Sequence, residues 1–431
     1  MTVTLPREDR AFLGALRIVR ILREAGHEAY VVGGAVRDLV MRRSPREYDI
    51  ATSAKPTEVQ ALFRRTVAVG AQFGVIRVRI GHQDYEVATY RVDLGYSDGR
   101  RPDAVRFASL REDVKRRDFT MNGLALDVET GEVIDLVEGL SDIEAQLIRA
   151  IGDPFERFAE DRLRPLRAVR FAAQLGFRIE ERTWHAVREA AAGVRQVSIE
   201  RVRDEVQKML ESEAPGRGFL LLGESGILRE VFPDLDRAVA ETRQAIAEVL
   251  DRLRGANAST LWAALAWPIH DARAFARRLH LSGAIREAIA GILETARAIQ
   301  GLQGPDVAVE KRVLRSRWAR DAMRLLEARG EAFGEDAPAV ARARSRLAEW
   351  TEQDLFPPRL LSGEDLLSLG LPQGPLIGET LNALEDASLR GEVRTREDAL
   401  SWLASRLRAV PDPARRAPEK DPAARKTGPA R

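Results

Sequence analysis

The sequence predicts an α+β fold, in which an N-terminal head with a mixed sheet and helices is followed by an all-helical remainder. Three observations lead to this prediction. Short apolar segments with strand composition cluster before about residue 155, and apolar spacing typical of amphipathic helices continues from there to about residue 408. Aromatic residues make up only 6% of the chain, which favours a helix-rich protein over an all-β one.

The elements of the head follow from local patterns. The first predicted helix covers residues 8–25, because apolar residues recur there at helical spacing and a glycine follows: Phe12, Leu16, Val19, Leu22 and Gly26. A short apolar strand then leads into a Gly33-Gly34 turn and a second helix. Three later segments have strand composition: YDIAT, VIRVRI and YEVATYR.

A chain of 431 residues is too long for one hydrophobic core, so several domains are expected. We expect the head at residues 1–150, a helical neck at 151–212, a helical body at 213–350, a helical tail at 351–409 and a disordered end at 410–431. That end holds five prolines and six Lys or Arg against three acids. This segment is either a solvated tail without a function or a tail that binds RNA weakly through its positive charge.

The composition limits the kinds of site and partner that the protein can have. The chain has 68 Lys and Arg, of which only six are Lys, and the planar guanidinium of Arg suits contacts with phosphates and bases. The lack of cysteine excludes disulfides, thiolate zinc sites and cysteine nucleophiles. The sequence has no run of eighteen apolar residues and no signal peptide, so we expect a cytoplasmic protein with no membrane partner.

Two neighbouring features indicate phosphate chemistry with a metal ion. A strand, the double-glycine turn and a helix would direct free backbone N–H groups and the positive end of the helix dipole at an anion. If Tyr48 lies in a strand, Glu47 and Asp49 project from one face. Two such carboxylates repel each other unless they hold a cation, and their hard oxygens suit Mg²⁺. Glu86, central in another strand pattern, is the candidate third acid of a two-metal site.

The string VGGAVRDLVMRRSPREYDIAT, followed by this third carboxylate, resembles motif A of the class II tRNA nucleotidyltransferases (CCA-adding enzymes) and their bacterial poly(A) polymerase relatives. Both belong to the DNA polymerase β-type nucleotidyltransferase superfamily. The resemblance, over roughly residues 30–210, implies template-independent addition of C, C and A to the tRNA 3′ end from CTP and ATP, with release of pyrophosphate. It implies Mg²⁺ ligation by the first two acids, a catalytic role for the third, and a triphosphate cradle at Gly33, Gly34 and Arg37.

A second block, RRDFTMNGLALD, resembles motif B of the same family. The resemblance implies that Arg117, Asp118 and Asn122 place the ribose of the incoming nucleotide. The polar loop that contains Arg100 and Arg101 resembles the flexible region that is shortened in CC-only enzymes; it is not shortened here, which favours full CCA addition. The helical body and tail would grip the tRNA acceptor–elbow region by shape and phosphate contacts.

A third block, AEDRLRPLRAVRFAAQLGF, resembles motif D, in which Asp161 and Arg164 read the base. Cytosine and adenine both present an amine donor beside a ring-nitrogen acceptor, which an Asp acceptor and Arg donors match. Uracil and guanine would leave a buried charge unpaired. The two residues are three apart and would be neighbours on a helix, although Pro165 requires a helix start or a bend near Glu160. An ordinary ion pair between them is the alternative.

Several alternatives stay open at the level of sequence. The family pattern is Asp-x-Asp, whereas this chain has Glu47; Glu keeps the charge and both oxygens, so slower activity is favoured over loss. A non-catalytic RNA-binding relative is the alternative of a different class. Poly(A) polymerase and A-adding-only activity are alternatives within the superfamily, although VGAQFGVIRVRI resembles the CCA-adding type more than the Arg-rich string of poly(A) polymerases.

Overall fold

The computed structural model describes residues 1–70, 73–96, 99, 102–302, 306–335 and 337–409. Within this part of the chain, strands are concentrated before residue 150 and later elements are almost all helices. The predicted α+β class is therefore confirmed. Arg100 and Arg101 in the predicted loop and the predicted disordered end at 410–431 lie outside the described residues, so the predictions for them stay predictions.

The strands of the described residues are β1 Ala29–Val32, β2 Asp49–Thr52, β3 Thr66–Gly70, β4 Val75–Ile80, β5 Gln83–Thr89, β6 Arg91–Leu94, β7 Ala104–Phe107, β8 Leu124–Leu126, β9 Val133–Asp135, β10 Leu147–Ile148 and β11 Arg178–Ile179. Seven of them form one mixed sheet in the order β3-β4-β5-β2-β1-β8-β9. Only β2 and β5 are parallel neighbours in it, with Ile50 opposite Val87. This register brings the start of β2 beside the middle of β5.

The helices of the head are α1 Arg10–Glu24, α2 Gly34–Val40, α3 Pro56–Leu62, α4 Leu110–Lys115 and α5 Gly139–Glu144. Helix α1 covers one face of the sheet with fully buried side chains that include Phe12, Ile18 and Leu22. Gly14 permits this close packing, because a Cβ at that position would collide with the Tyr85 hydroxyl. The strand–turn–helix unit and the strands predicted for the head are all present.

The later helices are α6 Pro154–Glu160, α7 Arg164–Leu175, α8 Glu181–Ala190, α9 Ile199–Leu210, α10 Pro215–Glu224, α11 Ile227–Val231, α12 Pro233–Ala238, α13 Arg243–Arg252, α14 Ala258–Ala266, α15 Ala272–Arg278, α16 Gly283–Gln300, α17 Val307–Leu314, α18 Ala319–Phe333, α19 Pro338–Glu349, α20 Glu352–Leu355, α21 Gly363–Ser368, α22 Pro375–Arg390 and α23 Arg396–Ala409. The bend expected at Pro165 is confirmed, because this residue lies in the first turn of α7, where its missing N–H breaks no helical bond. The expectation that Asp161 and Arg164 share one helix is wrong. Asp161 instead caps the end of α6 in an extended conformation, with φ −131° and ψ 104°.

The chain forms two compact units. The first comprises Met1–Leu293 and the described part of Arg324–Asp336, and it contains the sheet. The second comprises Glu294–Met323 and the described residues from Ala337 onward, and it has an apolar core of its own. The predicted boundaries after residues 150, 212 and 350 stay predictions. Among the described residues, no helix has both the length and the apolar composition needed to cross a membrane.

Candidate active site

Three carboxylates share one face of the sheet. Tyr48 points to the opposite face, where its ring packs edge-on against a phenylalanine of α1 with 5.7 Å between ring centroids. Tyr85 points the same way, and its hydroxyl donates to a main-chain carbonyl of α1 at 3.0 Å. Glu47 and Asp49 flank Tyr48, so the alternation of an extended chain turns them away from α1. Glu86 follows Tyr85 and faces away for the same reason.

The carboxylate face is the part of the sheet that carries Glu47, Asp49 and Glu86. Both glutamates act electrostatically on Asp49. Burial, followed by repulsion from Glu47 and Glu86, raises the pKa of Asp49 to about 7, although Arg117 acts in the opposite direction. No side chain in the described part of the chain donates a hydrogen bond to Asp49. A carboxyl group in this state exchanges its proton readily for a cation at neutral pH, because the cation relieves the repulsion from the two neighbouring acids.

The other two acids are more exposed than Asp49. Glu86 lies 3.6 Å from Arg77 of β4, and its side chain is 55% exposed. Among the described residues, no three Asp, Glu or His side chains converge closely enough to form a ready-made metal site. The donor set nevertheless fits a hard divalent cation, because it offers only carboxylate oxygens and its negative charges destabilise one another. Glu47 and Glu86 are long enough and exposed enough to turn toward a cation at Asp49.

The turn between β1 and α2 has the predicted form. Gly33 adopts φ 77° and ψ −139°, which glycine reaches without strain and L side chains do not. A Cβ built on Gly33 would lie 3.6 Å from Nη1 of Arg117, and one built on Gly34 would lie 3.6 Å from Nη2 of Arg37. The turn is therefore flanked by two guanidinium groups, whose charge adds to that of the free amides at the start of α2.

A buried hydrogen-bond network joins α2 to the predicted ribose-placing residues. Arg37 donates from Nη1 to Oδ1 of Asn122 at 2.8 Å, and Asn122 donates to Oδ1 of Asp118 at 3.1 Å. Arg167 of α7 donates from Nε and Nη2 to Oδ2 of Asp118 at 2.9 and 2.7 Å. Burial acts to raise the pKa of Asp118, but Arg167 outweighs it and the pKa falls to about 2. Asp118 is thus a fixed, ionised acceptor.

Arg117 is oriented by Asp113, a residue that sequence reasoning missed. Asp113 is fully buried in α4 and accepts from Nη2 of Arg117 at 3.1 Å and from Nη2 of Arg116 at 2.7 Å. Burial acts to raise the pKa of Asp113, but these two arginines outweigh it and hold the pKa below its usual value. The spacing of an acid three and four residues before two arginines on a helix was the available signal.

Asp161 and Arg164 lie together at the break between α6 and α7, but they do not pair with each other. Asp161 accepts from Nη2 of Arg201 in α9 at 3.0 and 3.2 Å. Arg164 is buried and donates to Glu160 at 2.7 Å. It also donates to one main-chain carbonyl of α6 and to another just after α4, both at 2.8 Å. The alternative of an ordinary ion pair between Asp161 and Arg164 is therefore not what forms.

Sequence reasoning missed two further buried residues, which lie beside Arg167. Glu205 of α9 is buried and accepts from Nε of Arg170 at 2.8 Å, and Arg167 approaches it to 3.6 Å. Arg170 is buried as well, and its guanidinium lies 3.5 Å from the ring centre of Phe171. Charged residues within the otherwise apolar stretch RPLRAVRFAAQL were the signal, because buried charges need partners.

Two cavities lie away from the carboxylate face. One of 460 Å³ is bordered by Arg188, Arg229 and Arg243, and one of 640 Å³ is bordered by His270 and Phe275. Neither is lined by any residue predicted for the site.

Three protein-family models match the chain. The Poly A polymerase head domain matches residues 29–149, the "Probable RNA and SrmB-binding site of polymerase A" matches residues 176–239, and tRNA nucleotidyltransferase domain 2 matches residues 255–404. The first match contains the carboxylate face and the glycine turn. The break between α6 and α7 lies between the first and second matches.

Whole-length relatives are also found. The CCA-adding enzyme of Lactiplantibacillus plantarum is 36% identical over 402 residues, which cover 92% of this chain and 96% of that one. The CCA-adding enzyme of Bacillus licheniformis is 37% identical, with 91% and 98% covered. The crystal structure of the Bacillus stearothermophilus CCA-adding enzyme in complex with CTP has a TM-score of 0.75 at 31% identity, with 93% of this chain and 98% of that chain covered. The Thermotoga maritima CCA-adding enzyme complexed with tRNA-CCA has a TM-score of 0.66 at 20% identity, with 94% of this chain and 100% of that chain covered, and is similar in fold.

Proposed function

The chain belongs to the family of CCA-adding enzymes, and from this we propose that it adds C, C and A to the 3′ end of tRNA. CTP and ATP are the nucleotide substrates, and pyrophosphate is released at each step. The enzyme is a nucleotidyltransferase that selects its nucleotides without a nucleic-acid template. A cytoplasmic location, which the sequence led us to expect, is part of the same proposal.

The carboxylate face is the observation that carries this proposal. Burial and repulsion from two other acids raise the pKa of Asp49, and a divalent cation would relieve that repulsion. Carboxylate oxygens are the ligands that Mg²⁺ prefers, so we assign Glu47 and Asp49 as its ligands and Glu86 as the third catalytic acid. When bound there, two Mg²⁺ ions would activate the RNA 3′ hydroxyl and neutralise the triphosphate and the departing pyrophosphate.

The residues around the glycine turn are assigned to the nucleotide. Gly33 and Gly34 let the main chain approach the triphosphate, and Arg37 and Arg117 supply positive charge on either side. Asp118 and Asn122 form the rigid, hydrogen-bonded support on which the ribose is placed. Because Asn122 also accepts a hydrogen bond from Arg37, a shift of Asn122 would move the guanidinium group that contacts the triphosphate.

Asp161 and Arg164 are assigned to the base. Arg164 is fixed by three hydrogen bonds, and Arg201 holds Asp161, so each side chain keeps one orientation before a base arrives. A fixed acceptor beside fixed donors accepts the edge that cytosine and adenine share. Uracil and guanine would leave these groups unpaired, a penalty of about 1–3 kcal/mol for each buried group.

The test is nucleotide incorporation on three tRNAs, one lacking CCA, one ending in C and one ending in CC. The four nucleoside triphosphates are offered separately and together with Mg²⁺. We expect the enzyme to complete CCA on each tRNA and then stop. Asp49→Ala should be inactive, whereas Asp84→Ala should be active, because Asp84 is paired with Arg79 at the far end of β5.

Other results would identify the alternatives. Addition of A only to the tRNA ending in CC would indicate an A-adding enzyme, and long A tails on unrelated RNA would indicate a poly(A) polymerase. Glu47→Asp tests the departure from the family pattern, and we expect it to add nucleotides faster than the natural sequence. If only Glu47→Asp were active, the natural chain would be a non-catalytic RNA-binding relative.

A further inference from the structure

The loop between α2 and β2 carries three arginines that the proposed reaction does not use. Arg42, Arg43 and Arg46 are exposed, and within the described residues no hydrogen bond or ion pair holds their side chains. Some other exposed arginines of the head are paired, such as Arg20 with Glu129 and Arg79 with Asp84. Three unpaired like charges within five residues of the chain repel one another, so they favour the arrival of an anion.

The backbone at Arg42 adds a second and independent observation. Arg42 has φ 57°, a left-handed conformation that strains any residue with a Cβ. It follows the end of α2, where its N–H donates to the carbonyl of Leu39 at 3.0 Å and the N–H of Arg43 donates to that of Asp38 at 2.7 Å. Helices that end in this way usually have glycine at this position. An arginine is thus present against the preference of the backbone, which indicates a use for its side chain.

The position of the loop identifies the anion. The loop leaves α2, which starts at the glycine turn, and enters β2 at Asp49, so it borders the carboxylate face. The nucleotide triphosphate already has Arg37 and Arg117 beside the turn. The second polyanion that must reach this negative face is the RNA strand whose 3′ hydroxyl reacts. Arg37 and Arg117 are assigned to the triphosphate, so the RNA strand needs other positive side chains.

We propose that Arg42, Arg43 and Arg46 form a cationic rim that binds backbone phosphates of the RNA strand being extended. Guanidinium groups bind phosphate oxygens in pairs, and the rim would offset the repulsion between the strand and the three carboxylates. The inference rests on the proposed function in one respect, namely that an RNA 3′ end is the acceptor. It requires no movement of the chain and no change in the assignments made above.

The test is direct RNA binding by the full-length chain without nucleotide. Fluorescence anisotropy with a labelled tRNA lacking CCA gives the dissociation constant over a range of KCl concentrations. In the triple variant Arg42→Gln, Arg43→Gln, Arg46→Gln we expect binding about tenfold weaker and a salt dependence less steep by about 2, since each single-strand phosphate contact contributes about 0.7. The KM for CTP should stay within about twofold of the wild type, because the triphosphate is held elsewhere.

A matched control removes three other exposed arginines that also lack partners in the described part of the chain. Arg7, Arg10 and Arg17 lie on or before α1, on the face of the sheet opposite the carboxylates, and their triple Gln variant should bind RNA as the wild type does. Arg42→Gly separates binding from folding, because it should raise the melting temperature by relieving strain while it weakens RNA binding.

Three results would overturn the proposal. These are unchanged RNA affinity in the rim variant, an equal loss in the α1 control, and a rise in the KM for CTP with RNA binding intact. The last would assign the rim to the triphosphate. The binding assay does not depend on turnover, so an inactive wild type that still shows the rim effect would contradict the proposed function and leave the cationic rim standing.

Discussion

Lowering the pH from 8 to 6 is expected to weaken divalent-metal binding at the carboxylate face about tenfold, because Asp49 must lose its proton to bind a cation. With a pKa of about 7, Asp49 is ionised in about one tenth of the molecules at pH 6, about half at pH 7 and about nine tenths at pH 8. The apparent dissociation constant rises by the inverse of that fraction. An aspartate with its ordinary pKa of 3.8 would be ionised throughout and would give no change.

The assay uses Mn²⁺ as the probe, because its free concentration can be read by electron paramagnetic resonance in the presence of the full-length chain. Glu47→Gln removes one of the charges that raise the pKa of Asp49, so the pH at which affinity falls should move downward. Asp84→Asn is the control, since Asp84 is paired with Arg79 and is not among the charges that shift the pKa of Asp49, and it should leave the profile unchanged. An affinity that is constant from pH 6 to 8, or a midpoint that moves upward in Glu47→Gln, would refute the reasoning.

Three further predictions follow from the same contacts. Without metal, Asp49→Asn should raise the melting temperature at pH 8 but not at pH 4, because the folded pKa of Asp49 lies about three units above its unfolded value. The wild type therefore loses up to about 4 kcal/mol of stability as the pH rises from about 4 to about 7, and an equal effect of the substitution at both pH values would contradict this. Arg167→Met should leave Asp118 buried without its main partner, so the protein should lose about 3–5 kcal/mol of stability in denaturant unfolding and its KM for CTP should rise. Arg167→Lys should recover part of both losses. An unchanged KM would show that Asp118 does not place the ribose. Gly33→Ala should destabilise the protein by about 1–2 kcal/mol, because φ at this position is 77°. It should also lower kcat/KM for both nucleotides, and full activity would mean that the turn does not contact the triphosphate.

The parts of the site that depend on short-range pattern could be predicted from the sequence. The glycine turn and the alternation around Tyr48 are set by neighbours in the chain, so strand, turn and helix signals were sufficient. Glu86 was identified by its central place in a strand pattern, and the parallel register of β2 and β5 puts it on the same face as Asp49.

The parts that depend on contacts distant in sequence could not be predicted. Arg167 binds Asp118 across 49 residues, and Arg201 binds Asp161 across 40, and no periodicity in one sequence reports such a pair. The error at Asp161 has a related cause. Spacing of three residues was taken as helical proximity, although Pro165 lies in the first turn of α7 and the chain breaks just before it.

The way Arg164 is held has a consequence for how this protein can change over evolutionary time. Two of its three hydrogen bonds end on main-chain carbonyl oxygens, in α6 and just after α4. Every residue type has such an oxygen, so point substitutions at those two positions leave the anchors in place. An insertion or deletion in either segment would displace them. The base selectivity proposed for Arg164 should therefore tolerate substitution of these neighbours but be sensitive to any change in their number.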